Sequence, residues 1–354
     1  MERYFIWLIL IFLVVYRYFT TIPAYEIGDR VRITGTVYSD PIIYSTGQYI
    51  KIAGLKIYLP PVPEISYGDR VIIEGIVGKG KLEKPKLVSV SASSSALSVF
   101  RNDVISFYEK VLPQPMAGLI SGITLGSKGT LTTEFWEQVK KAGVAHVIVA
   151  SGTNVTFVAS FLMGVGAAFL PRRKAILFVI LGIILYLFIS GFEAPLIRAA
   201  VMAVFAFLAQ ETGRLVNAWR LLFITGGVML AIKPEWLFDI GFILSFVSTA
   251  SLMLFEKRIR GRLGVLPVFI KEGLSTSLAA QIGVTPILFV TFGQFNIWSP
   301  LVNALVLWTV PFIMIFGAIG GVVGLIIPIL GKIILLISYP LLWWFATIVT
   351  LFNF

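Results

Sequence analysis

Residues 299–326 read SPLVNALVLWTVPFIMIFGAIGGVVGLI, and residues 332–352 read KIILLISYPLLWWFATIVTLF. Lys332 is the one formally charged side chain in the two runs together. A helix needs ~20 apolar residues to cross hydrocarbon, and both runs supply that length. Six more candidate spans precede them, at 144–169, 175–190, 195–209, 218–232, 238–255 and 273–291. Near the start, residues 4–19 (YFIWLILIFLVVYRYF) form another apolar run.

The composition agrees with these runs. Hydrophobic residues make up 57% of the 354 positions and charged residues 13%; mean hydropathy is +0.91. A soluble domain is about half apolar and about a quarter charged, so this chain lacks the polar surface to cover itself in water. The expected fold class is a polytopic α-helical membrane protein with a small extracytoplasmic β-barrel domain, OB-like, near the N-terminus.

The absence of cysteine removes disulfides, thiolate nucleophiles and cysteine metal sites, and His146 is the single histidine. That excludes His-rich metal centres and most imidazole acid–base chemistry. No Gly-rich loop with Lys and Ser/Thr is present, which argues against an ATPase. The expectation is therefore no catalytic activity, no metal and no cofactor. The net charge of +11 does not by itself indicate nucleic acid, since basic loops set topology and meet anionic lipid.

Four zones are expected. Residues 1–20 are an N-terminal transmembrane anchor, because Tyr16-Arg17-Tyr18-Phe19 suits an interface and not a cleavage site. Residues 21–95 are the β-domain. Within them Gly28-Asp29-Arg30-Val31-x-Ile33-x-Gly35-x-Val37 recurs as Gly68-Asp69-Arg70-Val71-x-Ile73-x-Gly75-x-Val77, a turn followed by a strand of period two. Residues 96–142 read as amphipathic, interfacial helices: Phe100, Val104, Phe107 and Val111 recur at three and four. Residues 143–354 are the multi-span domain. Placing the N-terminus in the cytoplasm puts Arg172, Arg173, Lys174, Arg214, Arg220, Lys257, Arg258, Arg260, Arg262, Lys271 and Lys332 inside and leaves Lys233 alone in the short outer loops. The β-domain then lies outside the cell membrane.

Polar breaks within the spans are the candidate functional residues. Val144 to Val155 contains His146, Ser151, Gly152, Thr153 and Asn154. Gly152 weakens a helix and its neighbours are good N-caps. A half-helix N-terminus there would offer N–H groups and positive dipole to an anion such as phosphate; a kinked span whose hydroxyls bond their own carbonyls is the equally available alternative. His146 lacks a neighbouring carboxylate or nucleophile, so a hydrogen-bonded interior role is favoured over catalysis. Arg198 follows Glu193 in an apolar run, and an intramembrane charge points to a partner or a water-filled path. Asp239 on another segment is the expected partner, with snorkelling as the alternative. Ser245, Ser248 and Thr249 share a face that suits pore lining or, more commonly, helix contacts. Asn303 adds a polar position near another break, and Gly317-x-x-x-Gly321 with Gly320-x-x-x-Gly324 reads as close helix packing. In the β-domain, Lys79, Lys81, Lys84 and Lys86 cluster at a hairpin, and Tyr38, Tyr44, Tyr49, Tyr58 and Tyr67 accompany Lys51 and Lys56. Aromatics over basic residues bind single strands in OB-folds, although nine basic against seven acidic residues over 24–92 make the domain only weakly positive.

Four ordered stretches resemble the competence-protein family of DNA-uptake channels, the ComEC/Rec2 type. They are Gly118-x-x-x-Gly122-Ile123-x-Leu125-Gly126; Phe135 through Ala142-Gly143-x-x-His146-x-x-x-x-Ser151-Gly152; Gly191 through Pro195-x-x-Arg198-Ala199-x-x-Met202; and Ser299-Pro300-Leu301-x-Asn303 with Pro311. Asn217, Pro234 and Phe242-x-Leu244-Ser245-Phe246 also fit. The resemblance implies passage of single-stranded DNA through the inner membrane to the cytoplasm; the candidate residues for that path are His146, Ser151, Gly152, Thr153, Asn154, Glu193, Arg198, Asp239, Ser245 and Asn303, and the lysine hairpin is the candidate docking site. Family members usually carry histidine where Asn154 stands. Many also carry a metallo-β-lactamase-like domain for which these residues leave no room, so a separate nuclease is expected, together with a cytoplasmic ATPase motor. Membrane lipid is a further partner, and a homo-oligomer stays open. The competing readings are a transporter of a small anion or lipid, a membrane-embedded enzyme, and a structural subunit in which Arg198 and Asp239 serve assembly.

Overall fold

Alternating burial, clearest over Leu55–Leu59, builds the strands near the N-terminus, and long apolar runs build most of the helices that follow. The computed structural model describes residues 2–21, 26–44, 47–52, 54–93, 95–149, 151–213, 217–264, 267–292 and 296–352. Arg214 and the side chain of Tyr44 lie outside the described parts.

After helix α1 (Glu2–Thr21) come six strands: β1 (Arg30–Thr36), β2 (Ile42–Tyr44), β3 (Gly47–Ile52), β4 (Leu55–Leu59), β5 (Arg70–Val77) and β6 (Leu82–Ser91). They form two antiparallel three-stranded sheets, ordered β1-β5-β6 and β2-β3-β4. Inward side chains of both, among them Ile33, Val37, Ile50, Ile57, Val71 and Ile73, share one core. The expected barrel is not closed: among the described residues the two sheets are bridged by a single isolated pairing of Lys56 with Lys81.

The two copies of the Gly-Asp repeat are partners in the first sheet, with Arg30 opposite Ile76 and Thr36 opposite Arg70. Their ends are equivalent. Gly28 N–H donates to the Val77 carbonyl (2.8 Å) and Val77 N–H to that of Asp29 (2.9 Å); Gly68 N–H donates to Val37 (2.8 Å) and Val37 N–H to Asp69 (2.9 Å). Gly28 and Gly68 have φ of 108° and 92°, a region open to glycine and strained for other residues. The repeat thus encodes a local two-fold axis.

The helices that follow are α2 (Ala96–Val111), α3 (Met116–Leu125), α4 (Thr133–Lys141), α5 (Ala145–Ile148), α6 (Gly152–Phe169), α7 (Arg172–Ser190), α8 (Ala194–Glu211), α9 (Ala218–Ile232), α10 (Ile240–Arg262), α11 (Val268–Phe292), α12 (Ser299–Val306), α13 (Val310–Ile326) and α14 (Pro328–Leu351). Among the described residues, seven helical segments are long and apolar enough to cross a membrane, so this is a multi-pass membrane protein. Residues 218–232, expected as a further span, form the 15-residue α9, shorter than the ~20 residues usual for a crossing but running from the end where α8 stops to the end where α10 begins.

Within the stretch expected to lie along the interface, α3 is instead buried at all ten positions. It packs against α2, α13 and α14. The Tyr108 hydroxyl of α2 donates to the Gly317 carbonyl at 2.8 Å, and a Cβ on Gly331 would overlap the Gly324 backbone. The small residues of α13 therefore permit backbone-close packing on both sides.

The helical domain has two distinct ends. At one, basic turns are paired across neighbouring helices: Arg173 with Glu211 at 2.7 Å and Arg260 with Glu272 at 2.6 Å. At the other sits the β-domain, whose Tyr67 hydroxyl donates to the Phe188 carbonyl near the end of α7 (2.9 Å). Arg17 of α1 also reaches this end, donating to the Ala231 carbonyl at 3.1 Å.

Candidate functional site

The break in residues 144–155 is present. Val149 and Ser151 have extended backbones, with ψ of 135° and 169°, so α5 stops and α6 restarts at Gly152. Ser151 holds the N-cap position of α6 but does not cap it with its side chain. Its hydroxyl donates to Asn154 Oδ1 (3.0 Å), and buried Asn154 donates from Nδ2 to the Ile123 carbonyl of α3 (3.0 Å). The side chains at the break thus brace it against α3. The first turn of α6 keeps uncapped amides and the positive end of the helix dipole.

Arg198 lies directly against this turn. A Cβ added to Gly152 would sit 3.0 Å from Arg198 Nη2 and 3.2 Å from Ala199 Cβ, so the glycine allows the guanidinium to approach. Arg198 is 9% exposed. Its Nε donates to Ser245 Oγ of α10 at 2.7 Å, and Nη1 lies 3.3 Å from Met202 Sδ. Its guanidinium carbon is 6.0 Å from the Phe246 ring centroid. Asp239 is not its partner, contrary to the expectation from sequence, and no described carboxylate pairs with it. Ser248 and Thr249 bond the Ser245 carbonyl of their own helix. Gly152, Arg198 and Ser245 therefore meet at the junction of α6, α8 and α10, where a guanidinium and a helix N-terminus add positive potential with no compensating acid among the described residues.

The two acidic residues are engaged at the seam with the β-domain. Asp239 accepts from Lys51 of β3 at 2.7 Å and caps α10 by accepting from Phe242 N–H at 3.1 Å. Partial burial alone would raise its pKa, but the Lys51 ammonium and the N–H groups of Phe242 and Gly241 outweigh burial and hold it below the usual carboxylate value. Glu193, before α8, accepts from Lys128 at 2.6 Å. Asp40 forms a bidentate pair with Arg101 of α2 at 2.9 and 2.7 Å and accepts from Lys128 N–H at 3.1 Å. The Arg101 side chain is 2% exposed and that of Asp40 8%. Arg101 also stacks on Tyr67 at 4.4 Å, and burial pushes the Tyr67 hydroxyl up to about 12 despite the adjacent guanidinium.

Other expected site residues lie outside this junction, except that Thr153 adjoins it in the first turn of α6. His146 and Thr153 are exposed. Asn303 is buried and donates to Ser277 (2.9 Å) and Ser299 (3.3 Å), joining α12 to α11. Lys79, Lys81, Lys84 and Lys86 are all exposed on the β5–β6 hairpin, where Lys81 meets Glu83 at 3.4 Å. Among the described residues, no group of three His, Asp or Glu side chains could hold a metal ion. Sequence reasoning missed the Asp40–Arg101 and Lys128–Glu193 pairs. Their members are 61 and 65 positions apart, and no periodicity connects residues across two domains.

Residues 123–354 match the family described as competence protein. The chain belongs to the competence-protein family. It is similar to ComE operon protein 3 of Bacillus subtilis (strain 168), 32% identical over 231 residues, which cover 63% of this chain and 28% of that protein. It is also similar to competence protein ComA of Neisseria gonorrhoeae, at 27% over 199 residues, covering 53% of this chain and 28% of that one. The uncharacterized protein YcaI of Escherichia coli (strain K12) is 23% identical over 215 residues, with 57% and 28% covered. The matched part of each of these relatives is thus under a third of its length. No solved structure matches the chain. The family segment begins at Ile123, whose carbonyl braces Asn154, and contains Gly152, Arg198 and Ser245; the β-domain lies before it.

Proposed function

We propose that this membrane protein takes part in DNA uptake during transformation, and that a single DNA strand crosses the membrane past Gly152, Arg198 and Ser245. The supporting observation is the Arg198 guanidinium, which has no carboxylate partner among the described residues, against the uncapped first turn of α6. A buried charge is costly in a membrane, and its retention without an acidic partner among the described residues suits a passing anion. Phosphodiesters meet two positive features there, a side chain and a helix N-terminus.

The polarity follows from the basic turns. With Arg172, Arg173, Lys174, Arg220, the 257–262 cluster, Lys271 and Lys332 facing the cytoplasm, the N-terminus is inside and the β-domain is on the outer face of the cell membrane. Its lysine hairpin then docks DNA through its phosphates, and the seam at Asp239 and Glu193 forms the outer rim of the path. The chain contributes a passage and no catalytic step.

The test compares uptake of labelled DNA and of small labelled anions in cells carrying the wild-type chain, no chain, or Arg198→Ala at matched membrane levels. DNA uptake is expected to fall at least tenfold in Arg198→Ala, with small-anion uptake unchanged. DNA uptake equal to wild type removes Arg198 from the path. Loss confined to small anions identifies a small-anion transporter.

A further inference from the structure

We propose that a groove between α6, α7 and α8 at the basic end of the helical domain binds an anionic phospholipid. The groove has a volume of about 500 Å³ and is lined by Ala159, Ser160, Met163, Arg172, Ile176, Phe207 and Gln210. Ala159 and Ile176 are 5% and 4% exposed and form an apolar floor. Met163 and Phe207 complete it, Arg172 and Gln210 make a polar rim at the helix ends, and the Ser160 hydroxyl lies deeper, midway along α6.

The rim lies at the start of a membrane-spanning helix, Arg172–Ser190, at headgroup level. Arg173 is committed to Glu211 at 2.7 Å. Among the described residues, Arg172 reaches only the Gln210 carbonyl, at 3.5 Å, so its charge is open to a phosphodiester. Lys174 adds positive potential beside it. A headgroup phosphate fits the rim and an acyl chain fits the floor. Basic pockets between spanning helices hold anionic lipid by this division. A hydrated nucleic-acid strand suits the same groove poorly, because Ala159, Met163, Ile176 and Phe207 make most of its deep lining apolar.

Native mass spectrometry of the purified full chain, loaded with phosphatidylglycerol or phosphatidylcholine, tests the proposal. The wild type is expected to retain phosphatidylglycerol about fivefold more than phosphatidylcholine, the preference that one basic side chain gives at a membrane surface. Arg172→Ala should abolish the preference, Met163→Trp should reduce retention of both lipids by filling the floor, and Lys332→Ala should behave as wild type. Equal retention of the two lipids by the wild type, or an unchanged preference in Arg172→Ala, overturns the proposal. Displacement of phosphatidylglycerol by a single-stranded oligonucleotide also overturns it and assigns the groove to nucleic acid.

Discussion

Arg198 Nε donates to Ser245 Oγ at 2.7 Å, joining α8 to α10 where α6 begins. The bond orients the guanidinium without neutralising it. Removing the hydroxyl in Ser245→Ala leaves the charge in place but frees its orientation. Hydrogen bonds to charged groups contribute about 1.5–3 kcal/mol, and a tenfold change corresponds to about 1.4 kcal/mol. DNA uptake in Ser245→Ala is therefore expected to fall by about tenfold, less than in Arg198→Ala. Arg198→Lys should not restore wild-type uptake, because an ammonium lacks the planar fork that can bond Ser245 and a phosphate together. Transformation frequency at equal membrane levels reads all three.

Asp40 and Arg101 hold the β-domain to α2 through a pair that is almost wholly out of solvent. Breaking such a pair on one side leaves a buried charge uncompensated and costs about 3–5 kcal/mol. Asp40→Ala is expected to lower the thermal stability of the purified protein markedly. The double variant Asp40→Leu/Arg101→Met should recover part of the loss, since replacing both charges removes the orphan. Melting curves in detergent measure both.

The Lys51–Asp239 pair at the same seam is more exposed, with side chains 46% and 24% accessible, so it contributes at most about 1 kcal/mol. The Asp239 pKa is lowered in the folded protein. The contribution is thus fully present above the ordinary aspartate value of about 3.9 and is lost as pH falls through the lower folded value. The melting difference between wild type and Lys51→Ala should be constant from about pH 5 to pH 8 and should vanish only in strong acid. A difference that changes across neutral pH would contradict the assignment of Asp239 as the partner.

Replacing Lys79, Lys81, Lys84 and Lys86 together with alanine should weaken binding of single-stranded DNA to the purified protein. It should also flatten the dependence of log K on log salt, by about 0.7 for each phosphate that is no longer neutralised. Binding measured between about 50 and 200 mM salt, conditions of the order used for such slopes, provides the check. An unchanged slope would place DNA docking elsewhere.

Much of this architecture is legible in local pattern. Apolar length marks the helices, the Gly-Asp repeat marks β1 and β5, and Gly152 after Ser151 marks the restart of a helix. Arg198 stands out because a charge in an apolar run demands explanation. Its partner does not, since Asp239 and Ser245 lie on the same segment and sequence cannot tell which of them faces α8. The amphipathic spacing of α2 also says nothing of the burial of α3, because a short apolar helix reads alike at an interface and in a core. Two β-sheets read as a closed barrel because strand periodicity does not encode how edges meet.

The most direct measurement places one cysteine at Thr153, an exposed position in the first turn of α6, in a chain that has none of its own. A water-soluble anionic thiol reagent is applied to cells with and without DNA in transit. The expected result is rapid labelling without DNA and protection while DNA passes, with Gly164→Cys, further along α6 and facing open space, giving no DNA-dependent change. A cysteine at 153 that is labelled equally in both conditions, or that the reagent never reaches, would contradict a DNA path at the start of α6.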